Sequence, residues 1–368
     1  MIKIKNNKLK IFIRALLTIL IAFVVIVVSY VAYVFIDYYR LPDRLDIDID
    51  NGAKIEKMEV DKTYSISTYN IGFGAYDQDF SFFMDGGESS WAKSEESDRA
   101  CVEGAYNYVK DELKPNFTLW QEVDTDSTRS YHINQYKILK GIFKNYDSAF
   151  VQNYDSPFLF YPFNQPHGKN KSGIVTASSV DMKSVLRRKL PVSETVSRIL
   201  DLDRCYSITK IPVENGKYLS VFNIHMSAYG GSEEVRQGQI AKFTKDFKKE
   251  YKAGNYVICG GDFNHDLKVQ SKDENNKVYW AQYFPREELP KGFNFCIDGL
   301  SDEERENLHD TCRVADEPYE KGKTYVITVD GFIVSDNVEC VSYENVDLQY
   351  KYSDHDPVYM EFKLKRSK

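Results

Sequence analysis

A chain of 368 residues, 42% apolar and 14% aromatic, holds enough apolar material for one large domain or two ordinary ones. Its net charge is −7; residues 1–40 hold six Lys/Arg against one Asp, which leaves −12 for the remainder, so the bulk of the chain has no general attraction to polyanions. Six cysteines, at 101, 205, 259, 296, 312 and 340, show no C-x-x-C spacing, which argues against a zinc site.

From Ile11 to Ile36 the chain is almost continuously apolar, broken by Arg14, Thr18, Ser29 and the interfacial Tyr30 and Tyr33. A bilayer span needs about 20 such residues. The apolar part of a cleaved signal peptide is usually only about 7–15 residues, and no small-x-small cleavage site is evident. Lys3, Lys5, Lys8, Lys10 and Arg14 precede or enter the segment, while Asp37, Arg40, Asp43 and Asp46 follow it. The positive-inside rule then sets the N-terminus in the cytoplasm and everything after the segment outside. The expected organisation is a basic cytoplasmic tail (1–10), a transmembrane helix (11–36), a juxtamembrane linker (37–60) and one domain (61–368). No Pro/Gly/Ser-rich stretch, repeat or low-complexity run divides that domain.

Ser65–Gly72 is a strand-like run ending in Asn70 and Gly72. The stretch 75–87, with Phe80, Phe82, Phe83 and the acids Asp77, Asp79 and Asp85, is expected to form part of a substrate rim; the acids match no EF-hand spacing. A helix-like stretch runs from Glu95 to Leu113, and an apolar strand from Phe117 ends in Gln121-Glu122. Leu219–His225 alternates and ends in Asn-x-His. Tyr256–Asn264 is a buried-looking strand, with Cys259 inside it, ending in Gly-Gly-Asp-x-Asn. Here Asp262 and Asn264, two apart, point the same way if extended, and the glycines before them allow close approach of a ligand. Thr328–Val334 carries Asp330. Tyr343–Tyr352 is a second rim candidate, followed by Ser353-Asp354-His355-Asp356-Pro357 and the alternating strand residues Val358, Met360 and Phe362. Each polar group ends or sits on a strand, as when one sheet edge carries a reactive cluster on a rigid scaffold.

In this order, from about Ser65 to Phe362, the pieces resemble the endonuclease/exonuclease/phosphatase superfamily, which includes DNase I-like nucleases, bacterial sphingomyelinases and inositol-polyphosphate 5-phosphatases. The resemblance implies an α/β (α+β) fold, a four-layer DNase I-like sandwich of two mixed β-sheets flanked by helices, here preceded by the N-terminal transmembrane helix. It implies Mg²⁺, with Mn²⁺ as a substitute, held by Glu122, Asn70 and Asp354. It further implies His355 as general base or transition-state stabiliser, Asp330 fixing its tautomer, Asp262 positioning water, Asn264 contacting phosphate and His225 donating to a phosphoryl oxygen. His265 is expected near the same mouth.

Departures narrow the subgroup. Ile71-Gly72 follows Asn70 where abasic-site endonucleases carry Asn-x-Asp-Gly, and their position matching His225 is usually not histidine. Val-Asp-Gly-Phe around Asp330 replaces the Arg-Ile-Asp-Tyr of many relatives. The expected activity is a membrane-anchored, extracytoplasmic phosphoesterase hydrolysing a phosphodiester or phosphomonoester by metal-assisted water attack, with a phospholipid headgroup ranked first. A DNase- or RNase-type endonuclease and a catalytically inactive tethered binding domain stay open, and oligomeric state is not legible.

Overall fold

The structure, a computed structural model, describes residues 7–37, 39–192, 203–228, 233–269 and 281–366. Lys3 and Lys5 of the expected basic tail lie outside the described residues.

The apolar N-terminal segment is a single helix, α1 (Asn7–Asp37). It is long and apolar enough to cross a membrane, and none of its apolar window is buried against the rest of the protein. Two sheets follow. The first has the order β1 (Leu45–Ile47), β6 (Ser184–Lys189), β7 (Cys205–Pro212), β8 (Tyr218–His225), β9 (Tyr256–Asp262), β13 (Asp330–Ser335), β10 (Phe293–Phe295). The second runs β14 (Val338–Asn345), β15 (Val358–Leu364), β2 (Thr63–Asn70), β3 (Phe117–Asp124), β5 (Lys171–Ser178), β4 (Asp147–Asp155). Only β2/β3 and β8/β9 pair in parallel within these sheets, so both sheets are mixed. A two-stranded ribbon, β11 (Cys312–Arg313) with β12 (Val326–Ile327), stands apart.

Facing sides of the sheets bury Ile66, Leu119, Val221, Ile258, Phe332 and Met360 between them. The outer side of the first sheet packs on α4 (Glu233–Lys252) through Ile240, Phe243 and Phe247. The outer side of the second packs on α2 (Glu95–Tyr108) and α3 (Gln135–Ile142) through Val102, Tyr106 and Leu139. Helix, sheet, sheet and helix make four layers. Central strands such as β2 and β9 are therefore buried on both faces; β9 opens as a continuous apolar run, while β2 buries Ser65, Ser67 and Thr68 among its apolar residues. By contrast, β15 alternates buried and half-exposed residues as its pattern requires. The helix expected over Glu95–Leu113 is present, its last turn a π-helix over Val109–Leu113.

The segment expected as a linker is tied down along its length. Arg40 and the Leu41 N–H bond Asp203, Arg187 reaches the Pro42 carbonyl, and Asp43 pairs with Arg188 and Lys242. Beyond it, β1 pairs with β6, and Asp50, Ile55 and Met58 bridge to Ser148, Val180 and Val213.

Topology delivers the polar strand ends to one edge. The parallel pairs β2/β3 and β8/β9 finish together, opposing Asn70 to Gln121 and His225 to Asp262. Antiparallel β13 begins where β9 finishes, opposing Asp330 to Asp262, and β15 begins beside the end of β2.

Candidate active site

The centre of the cluster is Asn70, at the end of β2. Its Nδ2 donates to Asp262 Oδ2 at 3.1 Å and to Glu122 Oε1 at 3.4 Å, and lies 3.5 Å from His355 Nε2. Its Oδ1 accepts the Gly72 N–H at 3.0 Å, which turns the chain sharply out of the strand. Glu122 reaches this centre through a β-bulge: register against β5 slips between Trp120 and Val123, and Glu122 has φ 56. A bulge re-aims a side chain that regular pleating would send elsewhere.

His355 is buried, its Nδ1 2.7 Å from Asp330 Oδ2. A carboxylate has no proton to give, so the ring nitrogen donates, and Nε2 faces Asn70 and Asp262, the latter at 3.9 Å. Burial works to lower the His355 pKa, but the neighbouring Cys312, Asp330 and Asp354 raise it well above the ordinary histidine value. Burial pushes the Cys312 thiol itself up to about 12, so the two carboxylates supply the negative charge.

His225 lies with Nε2 3.5 Å from Asp262 and 4.0 Å from Glu122. Burial, then the charges of Arg204 and His355, holds its pKa well below the usual value, so this imidazole is neutral. Its Nδ1 has no hydrogen-bond partner among the described residues. Asp262 is pushed up to about 7, by burial first and by Asp330, against the opposing pull of His355, the Asn264 N–H and Asn70. Asp354 is raised to about 6, by burial first and by Glu122, with His355 opposing.

The eight candidate catalytic and metal residues therefore meet at one mouth, although Asn264 arrives differently from expectation. Asn264 does not continue an extended stretch beside Asp262. It has φ 50, its N–H bonds Asp262 Oδ1 at 2.8 Å, and its amide donates to the Met226 carbonyl at 2.9 Å. Asparagine tolerates this left-handed turn. The glycines before it approach protein: a Cβ on Gly260 would lie 2.4 Å from the Phe332 ring, and one on Gly261 2.0 Å from the Ile224 carbonyl oxygen.

The expected aromatic rim is corrected. Phe80 and Phe82 are 1% and 8% exposed, packed with Phe73, Tyr76 and Ala315, and only Phe83 is half-exposed. Asp77 and Asp79 are paired by Lys93 at 2.8 and 3.5 Å. The second rim candidate is bolted down: Asp356 accepts the N–H groups of Leu348 and Tyr350, and Tyr350 is fully buried. His265 bonds its own Phe263 carbonyl and packs on Phe284; burial lowers it to about 4.

Other residues hold the site, most of them motif members given no role by the sequence, and Thr311 from outside any motif. Ser353 Oγ donates to the Asn70 carbonyl at 2.8 Å and accepts the His355 N–H at 3.3 Å. Thr311 Oγ1 accepts the N–H groups of Val329 and Asp330 at 3.0 and 3.1 Å. Between the sheets, Gln121 donates to Asn223 Oδ1 at 2.8 Å and reaches Thr68 at 3.2 Å.

Asp262, Asp330 and His355 bring one ligand atom each to within 4.8 Å of one another, as do Cys312, Asp354 and His355. Glu122 and Asp354 add carboxylate oxygens, which a hard divalent cation suits, whereas Asn70, expected among the ligands, turns its Nδ2 to the cluster and its Oδ1 to the Gly72 N–H. A further group, His309 with Asp347 and Asp356, is already saturated by backbone N–H bonds to Asp356.

No protein-family model matches the sequence, and no curated protein matches it. Solved structures do. An endonuclease/exonuclease/phosphatase from Beutenbergia cavernae superposes with a TM-score of 0.58 at 13% identity, over 83% of this chain and 72% of that one. ANGEL2, a 2′,3′-cyclic phosphatase solved with adenosine-2′,3′-vanadate, gives 0.55 at 14%, over 88% and 99%. The human Nocturnin catalytic domain with bound sulfate gives 0.52 at 16%, over 87% and 97%. At these identities the likeness is one of fold: the chain has the four-layer, DNase I-like fold of the endonuclease/exonuclease/phosphatase superfamily.

Proposed function

We propose that this chain is a membrane-anchored, Mg²⁺-dependent phosphoesterase whose domain lies outside the cytoplasm and hydrolyses a phosphate ester of a phospholipid or similar small headgroup. The observation that carries the reading is the convergence of Asp330, His355, Asn70 and Asp262 through contacts of 2.7–3.9 Å beside Glu122 and Asp354. Structural neighbours named as phosphatases support the reaction class, and α1 with its preceding basic residues supports the anchor.

Glu122 and Asp354 would hold the cation, with Asn70 Nδ2 orienting Glu122, and the cation would supply positive charge to phosphoryl oxygens when bound. The chain's own residues do the rest. Asp262, with Oδ1 accepting the Asn264 N–H, turns Oδ2, which also accepts from Asn70 Nδ2, into the cluster to orient the attacking water and accept its proton. Asp330 favours the imidazolium form of His355, so His355 opposes phosphoryl charge as a doubly protonated ring and not as the base. Neutral His225 offers Nε2–H to a nonbridging oxygen. Water oxygen bonds phosphorus, the ester P–O bond breaks, and no covalent enzyme intermediate forms. The acidic domain disfavours nucleic acid.

The full chain, in detergent, should cleave a chromogenic phosphodiester with Mg²⁺ or Mn²⁺, lose that activity in EDTA, and lose about 10²–10⁴-fold on His355→Ala. Activity that survives both chelation and the substitution rejects the mechanism. A panel of sphingomyelin, other phospholipids, inositol phosphates and DNA then ranks substrates, preference for DNA supporting the endonuclease alternative. No turnover of any ester by the intact chain leaves the tethered binding domain.

A further inference from the structure

The hairpin joining β4 to β5 ends in three aromatic side chains that the described protein leaves bare. Phe160, Tyr161 and Phe163 are 50%, 67% and 84% exposed. This tip is a built structure. Leu159 and Gly168 exchange both backbone hydrogen bonds at 3.0 Å, and the His167 N–H reaches the Tyr161 carbonyl at 3.2 Å. From behind, the Ser90 N–H bonds Gln165 Oε1 at 2.8 Å and Trp91 Nε1 bonds the Pro166 carbonyl at 2.6 Å. Three aromatic rings held out on an ordered support form the kind of apolar patch that marks an interaction surface.

The N-terminal helix indicates what covers them. Tyr30 donates its hydroxyl to the Phe158 carbonyl at 3.1 Å and accepts the Phe160 N–H at 3.4 Å, while Tyr33 accepts the Phe158 N–H at 3.1 Å. The rings of Tyr30 and Phe160 are 5.1 Å apart, and Asp37 closes the junction on Lys169 at 3.0 Å. From Ile11 to Tyr30 the helix rises about 30 Å, the thickness of a hydrocarbon core. Tyr30 and Tyr33 then fall at headgroup level, where tyrosine is enriched. The hairpin tip is carried at the same height. On its other flank Tyr161 meets Phe83 edge-on at 6.1 Å. Phe83 packs on Phe82 at 5.0 Å and Phe82 on Phe73 at 6.2 Å, next to Gly72, which the Asp354 carboxylate approaches so closely that a Cβ there would lie 2.9 Å from Oδ1, so the patch reaches the side of the mouth.

We propose that Phe160, Tyr161 and Phe163 insert into the acyl–headgroup boundary of the leaflet where α1 emerges, holding the catalytic mouth against the membrane so that its substrate is a phosphate ester displayed by a lipid headgroup. The proposal rests on the anchored phosphoesterase reading and adds a surface that selects interfacial over dissolved esters. Insertion of such a tip reaches about 5–10 Å into the boundary region.

The test uses the full chain in phospholipid nanodiscs, in a Cys340→Ser background, with an environment-sensitive fluorophore on Phe163→Cys, on Ser29→Cys within α1, or on exposed Glu303→Cys. Insertion predicts a blue-shifted label at 163, quenched by a shallow nitroxide lipid about threefold or more beyond the label at 303. Quenching at 29 with water-like emission at 163 overturns the hairpin proposal and spares the anchor. Quenching at neither position overturns both. A blue shift at 163 without nitroxide quenching means that protein, such as a second copy of the chain, covers the patch, and this too overturns insertion. In activity, replacing all three aromatics by Ser should cut hydrolysis of a bilayer-embedded ester about tenfold while hydrolysis of the soluble chromogenic ester is unchanged. Equal loss on both substrates, or on neither, refutes the interfacial role.

Discussion

Asp98 illustrates how far a single side chain can be displaced by where the fold puts it. It is fully buried on α2, bonded by Gln135 at 3.2–3.3 Å. Burial first, then the charge of Asp124, pushes it up to about 8, against the Gln135 hydrogen bond and the charges of Arg129 and Arg99. The folded protein therefore holds Asp98 protonated at neutral pH. A raised folded-state pKa contributes stability that is fully present below the unfolded value of 3.8 and is lost as pH rises through about 8. Asp98→Asn keeps the shape and removes the titration. Melting temperature at about pH 8 should rise in the variant, and its decline between about pH 5 and 8 should flatten; an unchanged slope would mean that Asp98 is already ionised in the folded protein. Burial first, then neighbouring carboxylates, likewise raises Asp262 and Asp354 at the mouth, to about 7 and about 6.

At the scale of elements, β9 shows what a glycine pair is for. Gly261, at φ 143, packs its Cα edge against the Ile224 carbonyl of β8 where the parallel pair closes. Gly261→Ala needs the two strands to part and should cost about 3 kcal/mol, read as a lower melting temperature with reduced activity. A variant as stable as the parent would mean that the strands separate freely there. The glycines were legible in the sequence, but the partner they approach was not, because Ile224 and Phe332 lie on other strands. The strand ends bearing Asn70, Glu122, His225, Asp262 and Asp330 were legible for a local reason: each polar residue sits at or near one end of its own strand. Ser353 was legible as part of its motif but its task was not, and Thr311 was not singled out, because their hydroxyls work on backbone groups 283 and 18 or 19 positions away. Phe80 and Phe82 looked like a rim because loop aromatics show no periodicity. Only the chain around Ala315, arriving from the far end of the sequence, makes them a core.

For the molecule as a whole, the two sheets are joined by more than apolar packing. Thr68, Gln121 and Asn223 are buried and hydrogen-bonded across the gap directly behind the site, and Asn223 also donates to the Val175 carbonyl at 2.9 Å. Gln121→Met strands the Asn223 carbonyl oxygen and should cost about 1–3 kcal/mol, while adding Asn223→Leu should cost less than the sum of the two single losses. Denaturant titration of the four proteins measures the coupling; strict additivity would mean the contact is not made. A different consequence follows from residues 40–58 being strapped to both sheets. A free linker of about 20 residues would give the domain a roaming radius of about 25 Å, but this one has almost no slack. With α1 in a bilayer, the catalytic mouth would behave as a fixture at constant height, sweeping the plane by lateral diffusion alone. Its turnover of lipid esters would then scale with their surface density in its own membrane, and esters displayed on a neighbouring membrane would be out of reach.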